Sequence, residues 1–128
     1  MRYAMPHFPC EFEIPDDWIA EAGAQDCSPV TAAYKATAQA CDTPLTEVEP
    51  PPRLAHVHKS WRGLDRDRFV RVLNWMVLGV PIEPVPVVEM PFVDLGSSPY
   101  KFRVRDGVHR FYASIAAGFT HLPLDRDL

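Results

Sequence analysis

The sequence predicts a small α+β domain, in which a mixed β-sheet packs against a few helices. The chain has 128 residues, of which 47% are hydrophobic, so it suits a single domain with a small core. Two segments, 69–80 and 108–119, place apolar residues at offsets 0, 3, 4, 7, 8 and 11, as an amphipathic helix does. Short alternating or β-branched segments lie around these helices, and many of the 14 prolines bound them.

Before residue 45 the sequence predicts one strand and one helix, followed by a segment whose secondary structure the pattern leaves open. Residues 11–14 alternate as a short strand does, and a helix follows between its acidic start at 15–17 and its stop at Gly23. The Ala-rich stretch 31–40 after Ser28-Pro29 is a candidate for a second helix, although its apolar periodicity is weak.

Residues 45–128 are expected to form the domain itself, with residues 1–44 as an N-terminal extension packed on it. Residues 45–49 predict a short strand that Pro50–Pro52 end, and the segment 53–62 predicts a loop. The first of the two long amphipathic helices follows this loop.

The C-terminal half predicts two helices separated by strands and a turn. The first helix covers 65–79 and ends at a Gly-Val-Pro sequence. Prolines demote 84–89 to an edge strand or a strand start, and 94–99 predicts a turn. Strict alternation predicts a strand at 101–105, and a final strand is expected at 120–124, after the second helix.

Charge and cysteine content narrow the partners and the compartment. Lys and Arg number 13 against 17 Asp and Glu, a formal net charge of −4, which argues against a polybasic nucleic-acid module. Cys10, Cys27 and Cys41 are odd in number without a Cys-x-x-Cys pair, so we expect reduced thiols rather than disulfides or a zinc ribbon. Without a signal-peptide core or an apolar run of about 18 residues, we expect a cytoplasmic chain with no membrane partner.

The junction of strand and helix at 100–110 is the candidate functional site. Asp106-Gly107 turns the chain into the helix, whose first-turn backbone N–H groups and positive dipole end favour an anion. His109 and Arg110 lie about 100° and 200° around the helix from Val108, so we expect both to face solvent. Arginine offers a planar fork for phosphate oxygens, and histidine offers a donor or a proton shuttle.

The same residues have an ordinary structural interpretation, which their spacing leaves open. Asp106 would be the helix N-cap, Gly107 would allow a tight turn, and the polar pair after them would be surface residues. A row of cations on the preceding strand also has two interpretations, a solvated sheet face or a wall that faces an anion. That row is Lys101, Arg103 and Arg105.

A family resemblance bears on this choice. Residues 105–114, Arg-Asp-Gly-Val-His-Arg-Phe-Tyr-Ala-Ser, with the later Gly118 and Leu122-Pro123, resemble the motif of the ParB/sulfiredoxin-like superfamily. In that family, which includes the ParB N-terminal-like nuclease domains, a strand leads into Gly-x-[His/Arg]-Arg at a helix start. The segments Val48–Arg53 and 65–85 are similar to the family's upstream strand, Pro-Arg segment, helix and following strand.

The resemblance implies that the helix start binds the phosphates of a nucleotide, with ATP, ADP or CTP and Mg²⁺ as the expected ligands. Family members include a sulfinic-acid reductase, a free-serine kinase and CTP-binding partition proteins, so phosphoryl transfer or nucleotide hydrolysis is the implied chemistry. His109 and Asp106 are then the catalytic candidates. The implied phosphate-binding residues are Gly107, Val108, His109 and Arg110, with Arg53 in addition.

Departures from the family pattern limit what the resemblance carries over. Val108 stands where sulfiredoxins have their reactive cysteine, so that thiolate chemistry is excluded. One acidic and two arginine positions of the partition-protein motif are lost and no helix-turn-helix follows, which argues against a DNA clamp. A kinase also needs a carboxylate base and a Mg²⁺ ligand, for which Asp106, Glu47 and Glu49 are the nearby candidates.

Two other functions stay open. A DNA-binding protein or ParB-like nuclease is disfavoured by the net charge, and a catalytically degenerate protein that binds a protein partner or a second copy of itself is the other alternative. A metal site at His56 and His58 would need a third ligand such as His7, His109 or His121, and isolated polar histidines are the simpler interpretation, so we expect no metal site. Trp18, Trp61 and Trp75 are expected in the core or at its rim, with a base-stacking role open for Trp61.

Overall fold

The computed structural model describes residues 1–6, 10–52, 63–90 and 100–126. Within them the chain forms three helices, a two-stranded sheet and a mixed five-stranded sheet, which confirms the predicted α+β class. The elements in chain order are β1 (Arg2–Ala4), β2 (Glu11–Glu13), α1 (Asp16–Ala22), β3 (Cys41–Pro44), a 3₁₀ turn (Leu45–Glu47), β4 (Val48–Glu49), α2 (Arg66–Leu78), β5 (Val85–Glu89), β6 (Phe102–Val104), α3 (Val108–Ala117) and β7 (His121–Asp125).

The three helices follow the sequence pattern that predicts them. Each ends at its expected glycine, which is Gly23, Gly79 or Gly118. α2 lies against both α1 and α3, and its apolar stripe buries Phe69 and Leu73 completely. The 3.6-residue period predicts these helices well because their buried stripes are continuous over several turns.

The five-stranded sheet has the strand order β3-β7-β5-β6-β4. β5 pairs with β7 in parallel and with β6 in antiparallel orientation, so the prediction of an edge strand at 84–89 is wrong. The other predicted possibility, that the prolines mark the start of a strand, agrees with the structure, because Pro86 is the second residue of β5. Proline removes only a donor, and its carbonyl still accepts from the Arg105 backbone N–H at 2.8 Å.

The stretch 31–40 is not helical, and the candidate second helix is therefore wrong. Ala36 forms a parallel bridge with Ile82. The Thr37 N–H donates to the Ile82 carbonyl at 3.0 Å, and the Ile82 N–H donates to the Lys35 carbonyl at 2.8 Å. Because this distant segment satisfies the backbone groups, the weak helical pattern is overridden.

The sheet includes residues on both sides of position 45. Cys41–Pro44 form the edge strand β3, which the sequence does not predict, and it pairs antiparallel with β7. The strand predicted at 45–49 is reduced to the two residues of β4, after a 3₁₀ turn. Ile14 and Ile19 are fully buried in the same core as α2 and α3, so the N-terminal segment contributes to that core.

Two predicted connections, the loop over 53–62 and the turn over 94–99, lie outside the described residues. None of the helices in the described part of the chain is long and apolar enough to cross a membrane.

Asp65 caps the start of α2. Its carboxylate accepts a hydrogen bond from the Arg68 backbone N–H at 3.1 Å. This bond, assisted by one from the Asp67 N–H, lowers the pKa of the Asp65 carboxyl below its ordinary value of 3.8, although desolvation opposes the shift. The cap therefore acts in its charged form.

We expect Asp65→Ala to lower the free energy of unfolding by about 1 kcal/mol at neutral pH, since a helix N–H loses its acceptor. The pKa of Asp65 is lower in the folded protein, so the charge-dependent stabilisation is present above the ordinary carboxyl pKa and is lost as the pH falls through the folded value. Urea unfolding at neutral and acidic pH measures this, and the difference from wild type should shrink in acid. Asp65→Asn keeps an acceptor and should lose less, whereas equal losses would contradict the capping role.

Candidate functional site

An open groove of about 790 Å³ lies where the start of α3 meets one face of α2, and we call it the α2–α3 groove. Its volume is in the usual range for small-molecule sites, about 300–1,000 Å³. One wall is the turn from β6 into α3 with the first turn of that helix, residues 104–110. The remaining lining residues are Arg68, Arg71, Val72 and Trp75 of α2, with Thr37, Pro51, Pro52, Pro81, Ile82 and Glu83.

The α2 wall of the groove is a second stripe on that helix, which shares Val72 with the apolar one. Arg68, Arg71, Val72 and Trp75 have offsets 0, 3, 4 and 7, which place them on one face. The Arg71 guanidinium carbon lies 5.8 Å from the centre of the Trp75 ring. The site predicted from the sequence does not include Arg68 and Arg71, although this spacing is the signal that groups them with Trp75.

The turn into α3 is built around Gly107, which is the helix N-cap residue with φ of 141° and no side-chain cap. A Cβ atom at this position would lie 3.1 Å from Val85 Cγ1, so the turn packs directly on β5. The Phe111 N–H donates to the Gly107 carbonyl at 2.9 Å as the first bond of the helix. Asp106 is not the N-cap, so that part of the structural interpretation is wrong, whereas Gly107 does make the turn and the predicted helix start lines the groove.

His109 does not face solvent, and that expectation is wrong. The residue is only 4% exposed, and its Nε2 atom accepts a hydrogen bond from the Asp65 backbone N–H at 2.9 Å. The bond joins the start of α2 to the start of α3, across 44 residues of sequence. Its acceptor role requires that Nε2 carries no proton, so the imidazole of His109 is committed to the packing of the two helices.

Arg110 also has a structural role at the start of α3. Its Nη1 donates to the carbonyls of Glu83 at 3.1 Å and Pro84 at 2.9 Å, and its Nη2 donates to the Asp106 carbonyl at 3.0 Å. The Glu83 carbonyl also accepts from the Tyr34 hydroxyl at 2.7 Å. Burial raises the pKa of Tyr34, which keeps this hydroxyl protonated as a donor.

The three cations of the predicted row, Lys101, Arg103 and Arg105, do not share one role: two lie on a solvated sheet face and one faces the groove. Lys101 Nζ lies 3.7 Å from a carboxylate oxygen of Glu47, and Arg103 Nε lies 2.9 Å from one of Glu49. These pairs belong to a solvated sheet face. Arg105, the third member of the row, lines the α2–α3 groove instead.

The groove arginines differ in their ionic partners from the cations that carry salt bridges elsewhere on the surface. Arg66 pairs with Glu21 and Asp67, and Arg126 pairs with Glu89 at 2.7 Å. Among the residues that the structure describes, no carboxylate pairs with the groove side chains Arg68, Arg71 and Arg105. Of the described cations without a salt bridge, Arg68, Arg71 and Arg105 lie together on the groove walls, whereas Arg2 and Lys35 lie outside the groove.

The other candidate residues are divided between core, groove and undescribed segments. Trp18 is buried at 5.8 Å from the Phe69 ring centre, whereas Trp75 is 38% exposed at the rim of the groove. Within the described residues, no three His, Cys, Asp or Glu side chains are grouped to hold a metal ion. The positions outside the described residues are Arg53, His56, His58 and Trp61.

No family model, no curated protein and no solved structure matches this chain. The ParB/sulfiredoxin-like resemblance rests on the sequence motif and stays a prediction. The groove must therefore be interpreted from its own residues.

We expect His109→Ala to lower the free energy of unfolding by about 1–3 kcal/mol, because the partly buried Asp65 N–H loses its acceptor. His121→Ala is the control, since His121 is half-buried and its ring contacts the hydroxyl of the neighbouring Thr120, and it should change stability by about 0.5 kcal/mol or less. Denaturant unfolding of both variants measures the difference. Unchanged stability of His109→Ala would contradict the helix-joining role.

We expect Gly107→Ala to destabilise the turn into α3 by about 1–3 kcal/mol, because a side chain is strained at its positive φ. The added methyl group would also press on Val85 and on the Arg110 guanidinium, whose Nε lies 3.3 Å away. Gly79→Ala is a matched control, since Gly79 also has a positive φ but no atom within 4 Å of the new Cβ. Denaturant unfolding should show the larger loss for Gly107→Ala, and equal losses would contradict the close packing.

Proposed function

We propose that the α2–α3 groove binds a nucleoside phosphate, with ATP, ADP or CTP and Mg²⁺ as the ligands to test. The observation that carries this proposal is the set of groove arginines, Arg68, Arg71 and Arg105, which form no salt bridge in the described part of the chain. They share the groove with the start of α3. Helix geometry leaves first-turn N–H groups without intrahelical acceptors, and the dipole there favours negative charge.

The local charge of the groove supports an anionic ligand although the whole chain is acidic. Four arginines line it, the three above and Arg110, against the two carboxylates of Glu83 and Asp106. Arginines held near one another repel, and a bound anion relieves this repulsion. Arginine also binds phosphate oxygens through a planar pair of donors, which makes phosphate a favourable partner.

The proposal covers binding and assigns no catalytic step. A proton shuttle must change its protonation during the reaction, whereas His109 uses Nε2 as the acceptor for the Asp65 N–H. Arg110 likewise uses its guanidinium on three backbone carbonyls. Phosphate recognition is therefore assigned to Arg105, Arg68 and the α3 amides rather than to the predicted His109–Arg110 pair.

We expect Arg105→Ala to weaken nucleotide binding about 10- to 100-fold, the value of a charge-assisted hydrogen bond to phosphate. Isothermal titration calorimetry with ATP, ADP and CTP, each with Mg²⁺, measures this. Arg103→Ala is the matched control, because the neighbouring Arg103 is exposed, pairs with Glu49 and does not line the groove.

Two results would contradict the proposal. One is that none of the three nucleotides binds the wild-type chain. The other is that Arg103→Ala and Arg105→Ala weaken binding equally, since that would indicate attraction by the overall surface charge. Tight binding of duplex DNA without nucleotide binding would favour the DNA-binding alternative.

A further inference from the structure

Trp75 is an aromatic side chain at the rim of the α2–α3 groove, where the fold leaves 38% of it exposed. The core stripe of α2 is already filled, with Phe69 and Leu73 fully buried and Met76 nearly so. Trp18 shows how this protein buries a structural tryptophan, at 4% exposure against Phe69. Packing of the core therefore does not account for the exposed part of Trp75.

The surroundings of Trp75 suit a flat ring. Arg71, one turn earlier on α2, has its guanidinium carbon 5.8 Å from the centre of the indole ring, so a cation–π contact restrains the side chain. Val72 lines the groove on the same face of the helix. A restrained indole beside an apolar side chain offers a stacking surface at low entropic cost.

The two ends of the groove differ in chemistry. Arg68 precedes Trp75 by seven residues, which corresponds to about 10 Å along the helix axis. The hydrogen bond from the Asp65 N–H to His109 Nε2 places the start of α3 beside the start of α2, which is the Arg68 end. The helix-start donors and Arg68 therefore lie together, and the indole lies about two turns further along α2.

We propose that Trp75, restrained by Arg71, stacks on the base of the bound nucleotide while its phosphates lie at the Arg68 and α3 end. This assignment rests on the proposed nucleotide binding and adds the orientation of the ligand to it. The rise of about 10 Å along the helix axis between residues 68 and 75 is of the same order as the span from a nucleotide base to its outer phosphates. Stacking tolerates every base, so the site selects for the presence of a base more than for its identity.

The test compares ATP with inorganic tripolyphosphate, which carries the phosphate chain without a base. Calorimetry with Mg²⁺ is done on the wild-type chain, Trp75→Ala, Trp75→Phe and the control Leu78→Ala. Leu78 is 67% exposed on α2 but does not line the groove. Thermal unfolding of each variant confirms that it is folded, and Trp75→Phe keeps an aromatic ring if the alanine variant does not fold.

We expect Trp75→Ala to weaken ATP binding about 5- to 150-fold, the range for loss of one base–aromatic stack, and to leave tripolyphosphate binding within about twofold. Trp75→Phe should retain most of the ATP affinity, and Leu78→Ala all of it. ATP affinity that survives Trp75→Ala, or an equal loss for both ligands, would overturn the stacking assignment alone. If neither ligand binds the wild-type chain, the proposed function itself fails.

Discussion

The guanidinium of Arg110 holds together the backbone on which the α2–α3 groove is built. Its donors reach the carbonyls of Glu83 and Pro84, just before β5, and the carbonyl of Asp106, just before α3. Gly107 makes this approach possible, since a Cβ there would lie 3.3 Å from two guanidinium nitrogens. If the Arg110 side chain turned toward a ligand, these carbonyls would lose that donor. We therefore expect an anionic ligand to be bound by side chains that make no such hydrogen bonds to the backbone.

The contact between Asp65 and His109 brings the N-termini of α2 and α3 to the same end of the groove. Two helix N-termini side by side concentrate positive potential, because each carries the positive end of its dipole. The Asp65 carboxylate offsets part of it by capping α2, and His109 Nε2 accepts one N–H group there. The start of α3 has no side-chain cap, so its share of the potential remains directed at the groove.

The sequence predicts well those features whose cause is local. The apolar stripes of α2 and α3 repeat over several turns, and each helix is followed directly in the sequence by the glycine that ends it. Both helices are therefore found where they are predicted. β3 and the bridge at Ala36 depend on partners in β7 and at Ile82, far along the chain, and no local pattern reports such partners. The burial of His109 has the same origin, since its partner Asp65 is 44 residues away.

The net charge of −4 and the cationic groove are compatible because charges act over limited distances. At physiological ionic strength the screening length is about 8 Å, so carboxylates further away contribute little to the field in the groove. A small anion that fits within the groove meets mainly Arg68, Arg71, Arg105 and the start of α3. A long polyanion such as duplex DNA would extend beyond these residues onto a surface where the described cations Lys101, Arg103 and Arg126 are paired with Glu47, Glu49 and Glu89. Because those paired cations would have to exchange a carboxylate for a phosphate, they add little to affinity. The distribution of charge thus favours a ligand of the size of a nucleotide over a nucleic acid.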